Sequence, residues 1–489
     1  MKRAPLLLLA LATLACGSAR SFHASEPVAE APRAVTVAPG DADDEAFREK
    51  PPAAFARRKR TLIAPTEARL SNGVRVVMIE RHDFPTIATV FVLGRGAYAA
   101  PPAVASVYAN AITGTSRLYK SRDAWEYLRF VGANVAASAQ PGAIYLHATS
   151  LSPFLRSALS RAAPMFAAPA LTGDDLDRAR AVLVADRQSA HDDAPVVAFE
   201  LLYARLFPAP HPYGVPLGGA TIADVQAARN GVVESFRDAN LAAENVSVVA
   251  VGDFKPAQLI HVLEDVLGEL PKKKTSAPSL EDTPAAPPRV VIVDRPGAAQ
   301  SNVAIGWRGP AVGQRDHTAL SLLAVATGAG LSSSLNVMIR KELGASYGVQ
   351  MRVRGSRGSG SIDITAAIET PRTAEAVRGI LAEAGRRGAA PLSPAELSVA
   401  KSRADYHVES GSNVGLAYMF ASAIAEELPL SFVTARSERI EAISTEDIRG
   451  AAQRWLAPKI AQIVVVGDAA RIAEDLRALD AGPVEVQRN

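Results

Sequence analysis

The chain has 489 residues, 48% of them hydrophobic and 21% charged, enough apolar material for a sizeable core and two or more domains. Net charge is only +3, and Arg57-Arg58-Lys59-Arg60 is the densest basic cluster, so nothing is long enough to track a phosphate backbone and nucleic acid is not an expected partner. The single cysteine excludes an intramolecular disulfide and any C-x-x-C motif, which leaves stability to packing.

The start of the chain reads as an export signal, residues 1–16. Lys2 and Arg3 precede an apolar run from Ala4 to Leu14, too short for a transmembrane helix and correctly flanked for secretion. Cys16 closes it and reads as a lipid attachment point; Ala15 fits a lipobox and Thr13 does not. Ordinary cleavage after Gly17-Ser18-Ala19 is the alternative. Either way the mature protein is expected outside the cytoplasm, in the periplasm; the lipid-attachment reading adds an outer-membrane anchor through Cys16. Residues 17–60 are rich in Ala, Pro and acidic residues without apolar periodicity and read as a flexible tether.

Beyond the tether, strands are predicted over Val74–Ile79 and Thr86–Leu93, a short helix over Pro101–Ile112, and a long helix over Asp174–Gln188. Pro101 suits the first turn of its helix, where its missing N–H would be unpaired anyway. A Lys- and Pro-rich linker at 271–288 follows. After it come strands over Val290–Val293 and Asn302–Trp307, then helices over Ala319–Ala326 and Pro394–Glu409. Gly355-Ser356-Arg357-Gly358-Ser359-Gly360 lacks a Walker lysine and reads as a loop between strands.

The two sides of the linker repeat each other. Arg75-Val76-Val77-Met78-Ile79-Glu80-Arg81 resembles Arg289-Val290-Val291-Ile292-Val293-Asp294-Arg295 (289 − 75 = 214), and Thr113-Gly114 returns as Thr327-Gly328 (327 − 113 = 214). Val248–Asp253 matches Ile463–Asp468, offset 467 − 252 = 215 at the glycine. The period is far longer than a solenoid repeat. The sequence therefore predicts a duplicated α+β unit, with helices packed on one face of each sheet, over 61–270 and 289–475, and a tail at 476–489.

Familiar hydrolase sites are missing. No two of the eight histidines lie within a helical turn or two of each other, so no H-E-x-x-H face exists, and no G-x-S-x-G elbow is present. His191 and His211 read as surface or loop histidines.

Several phrases nevertheless resemble the M16 peptidases, the insulinase, pitrilysin and mitochondrial processing peptidase-like family, over about residues 64–475. These are Leu70-Ser71-Asn72-Gly73-Val74, His211-Pro212-Tyr213-Gly214 followed by Gly218-Gly219, and Asp294-Arg295-Pro296 through Gln300-Ser301. The resemblance implies two LuxS/M16-type α/β sandwich domains facing each other across a cavity. In active members an inverted H-x-x-E-H motif holds zinc, with a later glutamate as third ligand. The corresponding positions here are Ala105, Tyr108 and Ala109, with Asp186 near the third-ligand position (186 − 109 = 77). A lone aspartate cannot replace three ligands, so no zinc is expected in this chain, and Asp186 reads as a solvated or salt-bridged helix acid.

The second half keeps the other part of the family's chemistry. Ile339-Arg340-Lys341-Glu342-Leu343-Gly344-Ala345-Ser346-Tyr347 resembles L-R-x-x-x-G-x-x-Y, whose arginine and tyrosine reach an active site and stabilise developing charge. By resemblance, Arg340 and Tyr347 would complete the site of a zinc-motif M16 paralogue, in a hetero-oligomer that cleaves short or unfolded peptides. From the residues alone an equal reading has Arg340 paired with a nearby acid, Gly344 ending a helix and Tyr347 packed at a strand start. Ser334 stands where many relatives carry arginine. An inert structural or peptide-binding pseudopeptidase is the competing function. An autonomous metallopeptidase would need three ligands gathered from distant positions.

Overall fold

A computed structural model describes residues 64–96, 100–215, 220–273, 283–409 and 412–488. The expected signal, Cys16, the tether, Gly218-Gly219 and the middle of the linker lie outside the described residues.

The first half begins with β1 (Thr66–Arg69), β2 (Arg75–Glu80), β3 (Thr86–Leu93), α1 (Val104–Ala111), α2 (Ser121–Phe130), β4 (Asn134–Ala139) and β5 (Ile144–Leu151). It continues with α3 (Leu155–Ala167), α4 (Gly173–Asp192), α5 (Ala194–Leu206), α6 (Ile222–Ala227), α7 (Asn230–Asn240), β6 (Val246–Gly252) and α8 (Pro256–Leu267). The second half opens with β7 (Val290–Asp294), β8 (Gln300–Gly309), α9 (Arg315–Gly328), a π-helical turn (Asn336–Glu342), β9 (Val349–Gly355) and β10 (Gly360–Glu369). Then come α10 (Thr373–Ala389), α11 (Pro394–Glu409), α12 (Asn413–Ala425), α13 (Ser431–Thr434), α14 (Arg436–Glu441), α15 (Thr445–Trp455), β11 (Gln462–Gly467), α16 (Ala469–Arg477) and β12 (Val484–Arg488).

Each half builds one six-stranded sheet, ordered β1-β2-β6-β3-β5-β4 and β12-β7-β11-β8-β10-β9. Five strands correspond one to one, and the sequence offsets become strand register. Glu80 lies opposite Gly252 in a parallel pair, as Asp294 lies opposite Gly467. Ala88 faces Val251 in an antiparallel pair, as Asn302 faces Val466 (302 − 88 = 214; 466 − 251 = 215). The repeated Gly-Asp at the strand end has a steric cause: a Cβ on Gly252 would sit 2.1 Å from the Thr86 carbonyl oxygen, and one on Gly467 would sit 2.7 Å from Ser301 Oγ. The edge strands break the repeat. β1 precedes β2 and pairs with it antiparallel, whereas β12 comes from the segment set apart as a tail and pairs parallel with β7.

The central strands bury consecutive residues on both faces, which a sheet covered on one face only would not require. In β2, Val76 and Met78 join the core under the first half's own helices, while Val77 and Ile79 turn the other way. That second face is covered by α12, through Leu416, Ala417, Phe420 and Ala421 of the other half. The exchange is reciprocal: α5 lays Ala198, Leu202 and Leu206 on Val293, Ala304, Val464 and Val466 of the second sheet. Polar contacts fix the angle. Tyr203 Oη lies 2.6 Å from Ser361 Oγ, Tyr418 Oη 2.8 Å from His147 Nδ1, and Asn413 Nδ2 donates to the Thr86 carbonyl at 3.0 Å.

Two details differ from the sequence expectation. The first helix starts at Val104, not Pro101, because Ala103 adopts a left-handed φ of 66° that interrupts the helical path. The described end of the linker is held down: Ala286 N–H donates to the Arg205 carbonyl at 2.9 Å, and Arg205 Nη2 donates to the Pro287 carbonyl at 2.7 Å.

Phe420 is fully buried between α12 and the first sheet. Phe420→Ala is expected to destabilise the protein by about 3–5 kcal/mol, the range for emptying such a site. Exposed Val399→Ala should stay within about 0.5 kcal/mol. Urea unfolding followed by fluorescence and circular dichroism checks both.

Candidate functional site

The positions corresponding to the family's zinc motif lie on α1, and their side chains have been absorbed into the core. Ala105, Tyr108 and Ala109 are each no more than 2% exposed. The Tyr108 ring meets Phe236 of α7 edge-on, with centroids 5.5 Å apart. Its hydroxyl is buried with no hydrogen-bond partner, and burial raises its pKa well above the usual phenol range. Asp186 is exposed on α4, a helix that packs against α1. Two methyl groups and a buried neutral phenol cannot coordinate zinc, so the residues present do not fit the metal. Among the described residues no group of three His, Cys, Asp or Glu side chains could hold a metal ion.

The two histidines named from the sequence have different settings. His211 sits in a loop as expected but is buried, not at the surface. Its Nδ1 accepts from the Tyr213 N–H at 3.2 Å, and the Tyr213 hydroxyl donates to the Arg357 carbonyl at 2.8 Å, bracing one half against the other. His191 is exposed, and its carbonyl accepts from Arg295 Nη2 at 2.7 Å.

Arg340 and Tyr347 occupy a different setting. The π-helical turn is anchored by buried Leu335 and Ile339, and Gly344 closes it with a φ of 66°. The Ala345 N–H then donates to the Ile339 carbonyl at 3.0 Å, and the Glu369 N–H takes the Ala345 carbonyl at 2.9 Å. Asn336 clamps the entry to β9: its Nδ2 donates to the Val349 carbonyl at 2.8 Å and its Oδ1 accepts from the Val349 N–H at 3.0 Å. Ser346 Oγ accepts from the Gly348 N–H at 3.1 Å. On this fixed support Arg340 is exposed, with no ion pair or hydrogen bond to a described residue, and Tyr347 is 90% exposed. The arrangement presents a guanidinium and a phenol, both donors, to whatever docks there.

Neither the pairing of Arg340 with an acid nor the packing of Tyr347 is present, whereas Gly344 does end the helical turn. Asn336, 4% exposed, escaped the sequence reading, since an asparagine eight residues before Gly344 carries no periodic signal. Ser334 donates to Glu383 Oε1 at 2.5 Å, and Arg386 and Arg387 bond the same carboxylate. Beside Tyr347, a cavity of about 420 Å³ opens between α5 and the second sheet, lined by Gly348, by Gln350, Arg352 and Arg354 on β9 and by Phe199 on α5.

The described residues thus combine two equivalent six-stranded sheets, a first helix without metal-ligating side chains at 105, 108 and 109, and an exposed Arg340/Tyr347 turn. The Peptidase M16 inactive domain matches residues 231–404. An uncharacterised zinc protease of Mycobacterium tuberculosis is 28% identical over 240 residues, 47% of this chain and 52% of the relative. The match thus spans about half the length of that relative. The fold is also that of a peptidase M16 inactive domain from Pseudomonas fluorescens (TM-score 0.76, 19% identity, 83% of this chain and 98% of that one). A chain of complex III from Candida albicans is similar as well (TM-score 0.71, 15% identity, 86% and 99% covered). Residues 231–404 are thus similar to the M16 inactive domain, and the fold of the described residues is that of M16 peptidase-like structures.

Tyr108→Phe is expected to leave the fold unchanged and raise stability by about 1 kcal/mol, because it removes a buried hydroxyl that makes no hydrogen bond. The sign of its pH dependence also follows. A phenol whose pKa is raised on folding contributes stability in full below its unfolded value near 10 and loses it as pH rises further. Alkaline melts of Tyr108→Phe should therefore fall less steeply above pH 10 than those of the wild type.

Proposed function

We propose that this protein is the accessory, non-zinc subunit of a heteromeric M16-type peptidase, exported and held at the membrane through a lipid on Cys16. The observation that carries this reading is the exposure of Arg340 and Tyr347 on a turn held by hydrogen bonds at its entry to β9 and at its close. An exposed tyrosine and an unpaired arginine contribute little to stability, so a rigid support for them is best explained by something they contact. Bound zinc, supplied by a partner, would activate water and polarise the scissile carbonyl. This chain's part is to bind the peptide and donate hydrogen bonds from Arg340 and Tyr347 to the carbonyl oxygen as negative charge develops there. The cleft beside Tyr347 gives an adjacent surface for the substrate, a short or unfolded peptide.

The competing reading is a scaffold without catalytic duty. It is favoured by the filled core under α1 and by the likeness to a complex III chain.

In a pair reconstituted with a zinc-motif paralogue, Arg340→Ala and Tyr347→Phe are each expected to lower kcat/KM on an unfolded peptide by roughly 10²–10³-fold, the scale for losing an oxyanion donor. The combined loss should be less than the product, since both side chains serve one charge. Full turnover by both variants, with assembly intact, would reduce the chain to a scaffold.

Among the described residues no helix is long and apolar enough to cross a membrane. Cys16→Ser is accordingly expected to move the protein from the membrane fraction to the soluble fraction. Fractionation and mass analysis of the mature N-terminus read the result.

A further inference from the structure

The junction of the two halves holds a second cavity, remote in the fold from the π-helical turn. It measures about 540 Å³ and lies between α12 to α14 and the loops that close the β4–β5 and β9–β10 hairpins. Its walls include Tyr145, Tyr418 and Phe432, which give it an apolar, aromatic body, together with Glu426, Arg436 and Arg439. Tyr145 and Tyr418 approach each other with centroids 5.9 Å apart.

The arginines set this cavity apart. The Arg439 guanidinium stacks on Phe432, 3.9 Å from the ring centroid, and its Nε and Nη1 are buried with no hydrogen-bond partner. Burial first, then the neighbouring Arg436, pull its pKa down to about 10. His317 Nε2 is buried and without a partner too, packed against Gly355 where that glycine lines the cavity. The acid on the wall, Glu426, is already engaged with the Arg357 N–H and is pushed toward its neutral form by burial, while Arg357 pairs its side chain with Glu427. Arg439 is half-buried, and donors of a guanidinium that make no hydrogen bond to a described residue are costly; a ligand that brings an oxyanion lowers that cost. A guanidinium fork matches a carboxylate, and the aromatic walls match an apolar group attached to it.

We propose that this cavity binds a short peptide by its free C-terminal carboxylate, with Arg439 as the anchor, Arg436 beside it, and Tyr145 and Tyr418 packing the terminal side chain. The site is independent of Arg340 and Tyr347, so it stands or falls separately from the accessory-subunit reading. It gives the protein a place to retain peptide ends away from any catalytic centre.

Isothermal titration of the full chain tests the assignment with three probes: glycyl-glycyl-phenylalanine as free acid, the same tripeptide as C-terminal amide, and inorganic phosphate. The free acid is expected to bind, and the amide to bind at least about tenfold more weakly. Arg439→Met should lose about tenfold or more in affinity for the acid, with Arg439→Lys in between. The acid–amide comparison on wild-type protein decides the question even if the Met variant misfolds. Equal binding of acid and amide, undiminished binding by a folded Arg439→Met, or no binding of either peptide would overturn the proposal. Phosphate binding without peptide binding would overturn it as well, by assigning the cavity to an inorganic anion.

Discussion

Both faces of each sheet are apolar, and each half supplies helices enough to cover only one of them. The remaining face of the first sheet, with Val77, Ile79, Val90 and Val251, is sealed by α12 from the second half, and α5 does the same in return. Separated, each half would present a wide apolar surface to water, at roughly 25 cal/mol per Å². The exchange therefore makes the two copies one structure. It also sets every later geometry: the cleft beside Tyr347 exists because α5 lies across the second sheet, and the arginine-lined cavity exists because α12 lies across the first. Polar groups inside these seams fix the docking angle at some cost in stability. Tyr203 lies 3.4 Å from Asp363 Oδ1, and Arg354 Nε lies 3.1 Å from the same oxygen, while Asp363 Oδ2 has no partner and burial raises the pKa of the carboxyl. Such groups cost free energy and restrict the packing to one arrangement.

The duplication was legible because strand register preserves sequence offset. Val76 and Val290 occupy equivalent strands, and the glycines at 252 and 467 recur because no Cβ fits beside the neighbouring strand. Continuous apolar runs such as Val76 to Ile79 and Ile463 to Val466 already carried the information that both faces are covered. What periodicity cannot say is which helix does the covering, since α5 and α12 have weak amphipathic patterns and are more apolar than a surface helix needs to be. The edge strands were illegible for a related reason. β12 offers only five residues with alternating exposure, and what makes it a strand is the unpaired edge of β7, a tertiary fact.

The candidate site shows the same division between what composition reveals and what only packing can. That α1 lacks zinc ligands follows from the identities of Ala105, Tyr108 and Ala109. That their side chains are buried, with Tyr108 against Phe236, needs the fold. The Arg/Tyr turn was recognisable by motif, but its rigidity was not, because Asn336 acts through two backbone bonds to Val349 that have no signature in spacing.

These two loci also answer to different physical demands. A zinc site needs about three converging donors, so losing any one of them removes most of the affinity, and the rest then experience only the demands of the core. Helix α1 has met those demands with small residues and one aromatic ring. The π-helical turn has no such core role for Arg340 or Tyr347: the anchoring is done by Leu335, Asn336 and Ile339, and the two donors project from it into solvent. Packing would tolerate almost any residue at 340 and 347. A guanidinium and a phenol at those positions, on a support whose backbone is pinned from both sides, are therefore features that the packing of the described residues does not require.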